Sequence, residues 1–325
     1  MNKKINWGIL GLGNIAKKFA EDLQLSSNSV LYGVASREIN KAKDFGHMFN
    51  SIKHYGSYEA LANDPEIDII YIATPHTFHF EHAMMCLKNN KAVLCEKPMG
   101  INANQVKIMM EEARSRNLFL MEGLWTRFIP ATEKLLDILH KNVIGDVLFI
   151  RADFGFKGDA NLESRVYNKK LGGGSLLDIG IYPIYLSLLL LGLPIDIKAM
   201  AHMTETQVDS SCSMLFSYKN GAKANLESTV EAETPTEAYI YGSHGILKLH
   251  GRFHHTEKIT ISKNRVHEVL DIPYKGNGYI HEIEEVNTCL LNQEIESSKL
   301  PFKTSMDLIS LIDKVKEEIG LEYES

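Results

Sequence analysis

Two rhythms of apolar and polar residues share the first 120 positions. Runs of consecutive apolar, often β-branched residues read as strands buried on both faces. Ile5-Asn6-Trp7-Gly8-Ile9-Leu10, residues 30–35 and above all Ile67-Asp68-Ile69-Ile70-Tyr71-Ile72-Ala73 are of this kind. Segments with helical spacing lie between them: Ile15, Phe19 and Leu23 within 14–23, then residues 41–49 and 79–89. His54-Tyr55 predicts a brief strand, and residues 92–95 and 118–121 two more. Ser57 is placed to cap a short helix over 58–62. Asn102 with Gln105 forms a capping box for a helix through Arg116, with Val106, Met109, Met110 and Ala113 inward. This alternation predicts right-handed βαβ units and a doubly wound parallel sheet, whose ligands bind beyond the carboxyl ends of the strands.

After about residue 125 the rhythm changes. A helix is expected over 131–140, followed by strands over 147–156, 197–206, 213–218, 222–230, 238–241, 246–249 and 259–261. Short turns such as Lys219-Asn220-Gly221 and Ser243-His244-Gly245 join several of them, which predicts a large, mostly antiparallel open sheet. A helix over 183–191 interrupts the strands, and helices over 279–292 and 305–319 close the chain. No internal repeat or low-complexity tract is visible.

Composition narrows the function classes. The 325 residues are 44% hydrophobic and 23% charged, enough for two globular domains with real cores. A net charge of −6 without any basic run argues against nucleic acid as a partner. The amino terminus runs directly into a strand with no cleavage signal, and the longest apolar run, 181–193, is broken by Pro183 and Gly192. A soluble, cytoplasmic protein without membrane contact is expected. Cys86, Cys95, Cys212 and Cys289 are widely spaced in apolar sequence and read as reduced core residues rather than a zinc or redox motif.

The chemistry begins at Gly11-Leu12-Gly13-Asn14-Ile15-Ala16, a G-x-G-x-x-A turn between a strand and a helix. Gly11 permits the turn, Gly13 lets a pyrophosphate approach the backbone, and Ala16 allows close helix–strand packing. The N–H groups of Asn14 and Ile15 at the helix N-terminus would meet the phosphates. The second strand ends Ala35-Ser36-Arg37, without the acid that would hold a free ribose 2′-hydroxyl. Ser36 can donate to a 2′-phosphate and Arg37 can pair with it, so NADP is expected over NAD, with NAD still possible. The fold expected is therefore α/β: an N-terminal Rossmann sheet over 1–124, a C-terminal α+β domain for substrate and oligomerisation over 125–303, and a terminal helix over 304–325 packing back on the first domain.

Glu96-Lys97-Pro98 ends the fifth strand, at the sheet edge where a nicotinamide would lie. By position alone, Lys97 is either a donor to a substrate oxygen or half of a surface Glu–Lys pair. His76, His79 and His82 recur every three residues, but 76 and 82 fall some 120° apart on a helix and no carboxylates converge with them, so no metal is expected.

The glycine turn, Glu96-Lys97-Pro98 and Gly172-Gly173-Gly174-Ser175-Leu176-Leu177-Asp178-Ile179-Gly180-Ile181-Tyr182 together resemble the Gfo/Idh/MocA oxidoreductases over essentially the whole chain. Tyr182, where many members carry His, and Met121-Glu122-Gly123-Leu124-Trp125-Thr126-Arg127-Phe128 resemble the branch of dimeric dihydrodiol dehydrogenases and NADP-dependent D-xylose dehydrogenases. The resemblance implies Lys97 as catalytic lysine, Asp178 and Tyr182 on the substrate side, and Thr74, Pro75, His79 and Glu96 near the cofactor. By their place at the domain crossover Trp125, Arg127 and Phe128 are candidates to line the substrate pocket, with Trp125 reading equally as core, and the chain would form a homodimer or dimer of dimers through the C-terminal sheet. Hydride transfer to or from a carbinol of a sugar, polyol or trans-dihydrodiol is then expected in one shared cleft. A phenol is a weak base at its ordinary pKa of about 10, and an ammonium nearby favours phenolate. Either Tyr182 is the base with Lys97 polarising the substrate oxygen, or Lys97 carries the proton. A catalytically silent NADP-binding regulator, or a non-redox enzyme recycling its nicotinamide, are the competing readings. The substrate and the direction of reaction stay open.

Overall fold

The computed structural model describes residues 4–158, 161 and 164–323. Contacts divide the chain into two units: one of residues 1–128 with 275–306, the other of 129–274 with 307–325.

Six parallel strands form the sheet of the first unit: β1 (Ile5–Leu10), β2 (Ser29–Ala35), β3 (Lys53–Tyr55), β4 (Ile69–Ile72), β5 (Ala92–Glu96) and β6 (Leu120–Gly123), in the order β3-β2-β1-β4-β5-β6. Helices α1 (Asn14–Leu23), α2 (Ile39–Phe49), α3 (Tyr58–Ala62), α4 (His79–Lys88) and α5 (Ala103–Arg116) make the crossovers. The strand order reverses between β1 and β4, and at such a switch point the loops part to leave a crevice at the carboxyl edge. The Ser57 hydroxyl caps α3 through Ala60 N–H, and Asn102 caps α5 through Gln105 N–H, while the Gln105 amide oxygen takes the Ile101 N–H.

An eighth helix, α8 (Ile280–Leu291), belongs to this unit although some 150 residues separate it from β6. Asp22 on α1, 1% exposed, accepts from the backbone N–H groups of Asn277 (2.7 Å) and Ile280 (3.0 Å), so a carboxylate stands at the entrance of α8 where its dipole favours negative charge. The Trp7 indole donates to Asn287 at 3.1 Å, whose amide in turn donates to Ser29. Phe19 stacks on Tyr71 at 3.7 Å between ring centroids.

The unit boundaries therefore differ from the cuts expected after residues 124 and 303. The Trp125–Phe128 turn and the segment 275–306 belong with the parallel sheet, and residues 307–325 with the second unit rather than the first. The contacts responsible, Asp22 to Ile280 and Trp7 to Asn287, span more than 250 residues and leave no local trace in the sequence.

The second unit is an eight-stranded sheet in the order β14-β13-β12-β11-β7-β10-β9-β8. Its strands are β7 (Val147–Gly155), β8 (Asp196–Met203), β9 (Asp209–Ser217), β10 (Lys223–Thr229), β11 (Ala238–Gly242), β12 (Ile246–Leu249), β13 (Lys258–Lys263) and β14 (Val266–Asp271). Among the described residues of this sheet, only β7 and β10 pair in parallel. The edge strand β14 is mostly exposed, and its weak apolar alternation hid it from sequence reading. Helix α6 (Pro130–His140) precedes the sheet, α7 (Ile181–Leu191) covers one of its faces, and α9 (Phe302–Ile319) starts in the first unit and continues in the second.

A π-helical turn, Leu176–Gly180, leads directly into α7. Pro183 lacks the N–H that would close a regular turn onto Ile179, which suits a widened turn just before it. Helical structure thus begins well before the Pro183 start expected. The apolar run Lys169–Leu191 has the length and hydropathy of a membrane span, yet 83% of its most apolar window is buried inside the protein.

Candidate active site

At the carboxyl edge of the first sheet, Gly11 has φ +89°, and a methyl there would lie 2.9 Å from the Ala73 backbone. Glycine is required on both counts. Gly13 is the N-cap of α1 with no side-chain cap, and a Cβ on it would meet nothing within 4 Å. Asn14 beside it is exposed and Ile15 half-buried, while Ala16 is fully buried against the sheet. An uncapped helix N-terminus facing open space is the cradle a pyrophosphate needs. The observed backbone therefore fits a dinucleotide.

Ser36 is buried at the end of β2, its oxygen accepting the Glu38 N–H at 3.2 Å, which leaves the hydroxyl proton able to donate elsewhere. Arg37 is exposed, and its charge is felt by Tyr58 and His82. Burial pushes the His82 pKa down to about 4 against the opposing charge of Glu59, with Arg37 adding a smaller push. His82 Nδ1 lies 3.0 Å from the Thr74 hydroxyl. A buried hydroxyl at Ser36 beside the exposed Arg37 cation suits a phosphate monoester.

His79 is fully buried rather than at the rim, with Nδ1 2.8 Å from the Pro98 carbonyl and Nε2 2.8 Å from the Thr74 carbonyl. Burial pulls its pKa down to about 4 against the opposing pull of those carbonyls. The neutral ring carries one N–H, so it donates to one of these carbonyls and abuts the other, packing the loop Thr74-Pro75 against the loop after β5. Among the described residues no group of three or more His, Cys, Asp or Glu side chains could hold a metal.

Glu96 is 8% exposed; the Tyr71 hydroxyl donates to one of its oxygens and the Lys97 N–H to the other. Burial drives the Tyr71 phenol well above its ordinary value, with the Glu96 charge adding to the effect, so it stays a donor. Lys97 is half-buried and joined to Pro98 by a cis peptide. Glu122, buried one strand over, accepts the Met99 N–H at 2.9 Å. The lysine backbone is thus gripped through Glu96, and the loop beyond it through Glu122 and His79. Trp125, 8% exposed, stacks face to face on Tyr279 at 4.5 Å. Arg127 donates through Nε to the Lys299 carbonyl at 3.0 Å, and Phe128 is buried.

In the second unit, Gly172 and Gly174 have φ +71° and +112°. A methyl on Gly173 would lie 2.6 and 2.7 Å from the Val166 and Arg165 carbonyl oxygens. Asp178, on the π turn, pairs with Arg165 at 2.9 Å. Tyr182, one turn on, is 6% exposed and packs against Phe154 (5.7 Å) and His254 (4.6 Å), which themselves stack at 4.4 Å. A phenyl ring and an imidazole thus flank the phenol. Tyr71, Glu122, Phe154, Arg165 and His254 were not foreseen from sequence. Glu122 and Tyr71 stood in strands already identified, whereas Arg165 and His254 lie on short 3₁₀ turns without a periodic signal.

All four cysteines are free and buried. Burial raises each thiol, Cys212 and Cys289 to about 12, which removes them as nucleophiles.

A family model described as "Oxidoreductase family, NAD-binding Rossmann fold" matches residues 5–124, and the Gfo/Idh/MocA C-terminal domain matches 132–248. The chain belongs to the Gfo/Idh/MocA family. It is similar to trans-1,2-dihydrobenzene-1,2-diol dehydrogenases: 36% identical to that of Xenopus tropicalis and 34% to that of Homo sapiens, each over 98% of both chains. Among solved structures, a 3-ketoreductase from Actinomadura kijaniata in complex with NADP and TDP-benzene is 26% identical over 98% of both chains, with a TM-score of 0.89. As a Gfo/Idh/MocA member the protein is an NAD(P)-dependent oxidoreductase acting on CH–OH groups, with the Rossmann sheet and the large, mostly antiparallel sheet expected.

Proposed function

We propose that the protein moves a hydride between NADP and a carbinol of a small ring-shaped substrate, a trans-dihydrodiol or a sugar-like polyol. The observation that carries this is the pairing of an open phosphate cradle at Gly13 with Ser36 and exposed Arg37 where an acid would select NAD. The trans-dihydrodiol dehydrogenases it resembles act on such a diol. The packing of Phe154 and His254 on Tyr182 offers ring faces on which a cyclic substrate stacks. The same reading places the protein in the cytoplasm, where buried thiols stay reduced.

When bound, the nicotinamide supplies the hydride acceptor or donor. The backbone N–H groups of Asn14 and Ile15 would hold the pyrophosphate, and Ser36 and Arg37 would hold the 2′-phosphate. Glu96, fixed by Tyr71, orients Lys97, whose ammonium donates to the substrate oxygen. Tyr182 takes the hydroxyl proton in oxidation and returns it in reduction. Asp178, aligned by Arg165, accepts from a second substrate hydroxyl. Trp125 and Phe128, with Arg127 tied to the 299 carbonyl, border the substrate.

The experiment is a panel of trans-dihydrodiols, aldoses and inositols assayed with NADP and NAD. Turnover with NADP on at least one carbinol is expected. NADPH binding without turnover on any would instead make the protein a silent cofactor binder. Arg37→Ala should raise the KM for NADP about 10- to 100-fold, as loss of one charge-assisted phosphate contact implies, and change that for NAD by less than about threefold. An equal effect on both cofactors would remove Arg37 from 2′-phosphate recognition.

The second sheet leaves one face without α7. Register places Met200, Leu215, Phe149, Tyr241, Tyr239 and Ile246 together on it, and Met200 is 79% exposed. The reading extends to a homodimer through this face, since an open apolar sheet face requires cover. Sedimentation should give a dimer for the native chain and a monomer for Met200→Asp with Leu215→Asp; a native monomer at about 50 μM would defeat it.

A further inference from the structure

The Gly172–Ser175 segment is gripped from two sides by residues far away in sequence. On one side stands Asp209, the first residue of β9 and 0% exposed. Its Oδ2 accepts from the Ser175 hydroxyl at 2.6 Å and from the Leu176 N–H at 2.7 Å. The Ser175 hydroxyl also lies 2.9 Å from that of Ser228 on β10. The other oxygen, Oδ1, has no hydrogen-bond partner and stands where it would clash with a Cβ on Gly174. On the other side stands Tyr323, just beyond α9. Its hydroxyl donates to the Gly173 carbonyl at 2.5 Å and lies 3.1 Å from where a Gly174 methyl would be. The Lys316 ammonium sits 5.9 Å from the Tyr323 ring centroid, and the ring packs on the cluster of Tyr167, Ile179, Val208 and Val230.

We propose that Asp209 and Tyr323 are positioning residues, a clamp that fixes the glycine segment and through it the placement of Asp178 and Tyr182 toward substrate. This rests on the substrate-side roles proposed above. The geometry argues for alignment rather than for general stability. Three glycines make the most deformable backbone in the unit, and nothing in their own side chains can fix it. Immediately after them come Asp178 and Tyr182, on a turn whose first N–H, that of Leu176, is held by Asp209. A buried carboxylate that spends one oxygen on two donors of one loop, and keeps the other against the same loop, grips that loop alone. Burial raises the Asp209 carboxyl to about 6 against those donors, a cost the fold bears at this point.

Two readouts test the clamp. The first is independent of turnover: hydrogen exchange of amides 172–179 in the native chain, Asp209→Asn and Tyr323→Phe. Exchange there is expected to quicken at least about tenfold in each variant, with amides of the first sheet unchanged. The second is kinetic, on whichever carbinol the native enzyme turns over. Tyr323→Phe should raise the substrate KM about fivefold or more, with the affinity for NADP unaltered. Asp209→Asn, which keeps an acceptor for Ser175 and Leu176, should be milder than Asp209→Ala. Unchanged exchange at 172–179 in both variants overturns the clamp. So does exchange that quickens equally throughout the second unit, which marks loss of stability alone, or a loss of NADP affinity equal to that of substrate. Absence of turnover in the native chain sinks the proposed function while the exchange result still decides the clamp.

Discussion

Lys97→Met is expected to lower kcat by about 10³-fold or more while leaving NADP affinity within about threefold. Methionine keeps the length and much of the apolar stem, so the packing of a half-buried side chain survives. What disappears is the ammonium. A charge aimed at the oxygen where alkoxide develops is worth about 10²- to 10³-fold, and a positioned proton donor a comparable amount. The proposed phosphate contacts at Gly13 and Arg37 belong to other loops, and Glu96 holds the backbone of residue 97 rather than its side chain, so the site should keep its shape. Steady-state kinetics together with NADPH fluorescence titration separate the two effects. A variant retaining a tenth of native kcat would remove the lysine from the chemistry.

Tyr182→Phe is expected to lower kcat about 10²- to 10³-fold with thermal stability within about 1 °C of native. The substitution deletes one oxygen, and the ring contacts with Phe154 and His254 need only the ring. Loss of the proton acceptor should also erase whichever limb of the pH–kcat profile reports the phenol, leaving any limb from Lys97 in place. If kcat stays native, Tyr182 is a wall of the site and the proton travels by another group. The two variants together separate the alternatives left open by sequence: a lysine that polarises, or a lysine that carries the proton.

Much of this was legible from local pattern. The six parallel strands announce themselves because both faces are covered, so β-branched residues run on without polar interruption, as in Ile69–Ile72. Gly11, Gly13 and Arg37 were readable because a turn's backbone demands are written in the residues of that turn. The caps at Ser57 and Asn102 likewise need only three neighbouring residues. The remainder was hidden for physical reasons of two kinds. Burial and pairing between distant residues leave no periodic mark, which is why Asp22 under Ile280, Arg165 beside Asp178 and Asp209 beneath Ser175 escaped notice. An exposed edge strand such as Val266–Asp271 buries too little to impose an alternation. His79 is instructive in a different way. The resemblance placed it near the cofactor, and the structure adds that its ring braces two loops, a role that its spacing with His76 and His82 does not announce.

The return of α8 to the first sheet has a consequence for recombination among relatives. Exchanging substrate-recognition portions between two such enzymes cannot be done with one crossover. Splices after residues 128, 274 and 306 would be needed, because Trp7 and Asp22 select their partners from the sequence of α8. A hybrid joined at the first seam alone would inherit a helix matched to a foreign nucleotide module, and its mispairing would be felt at Asn287 and Asn277, whose side chains meet Trp7 and Asp22.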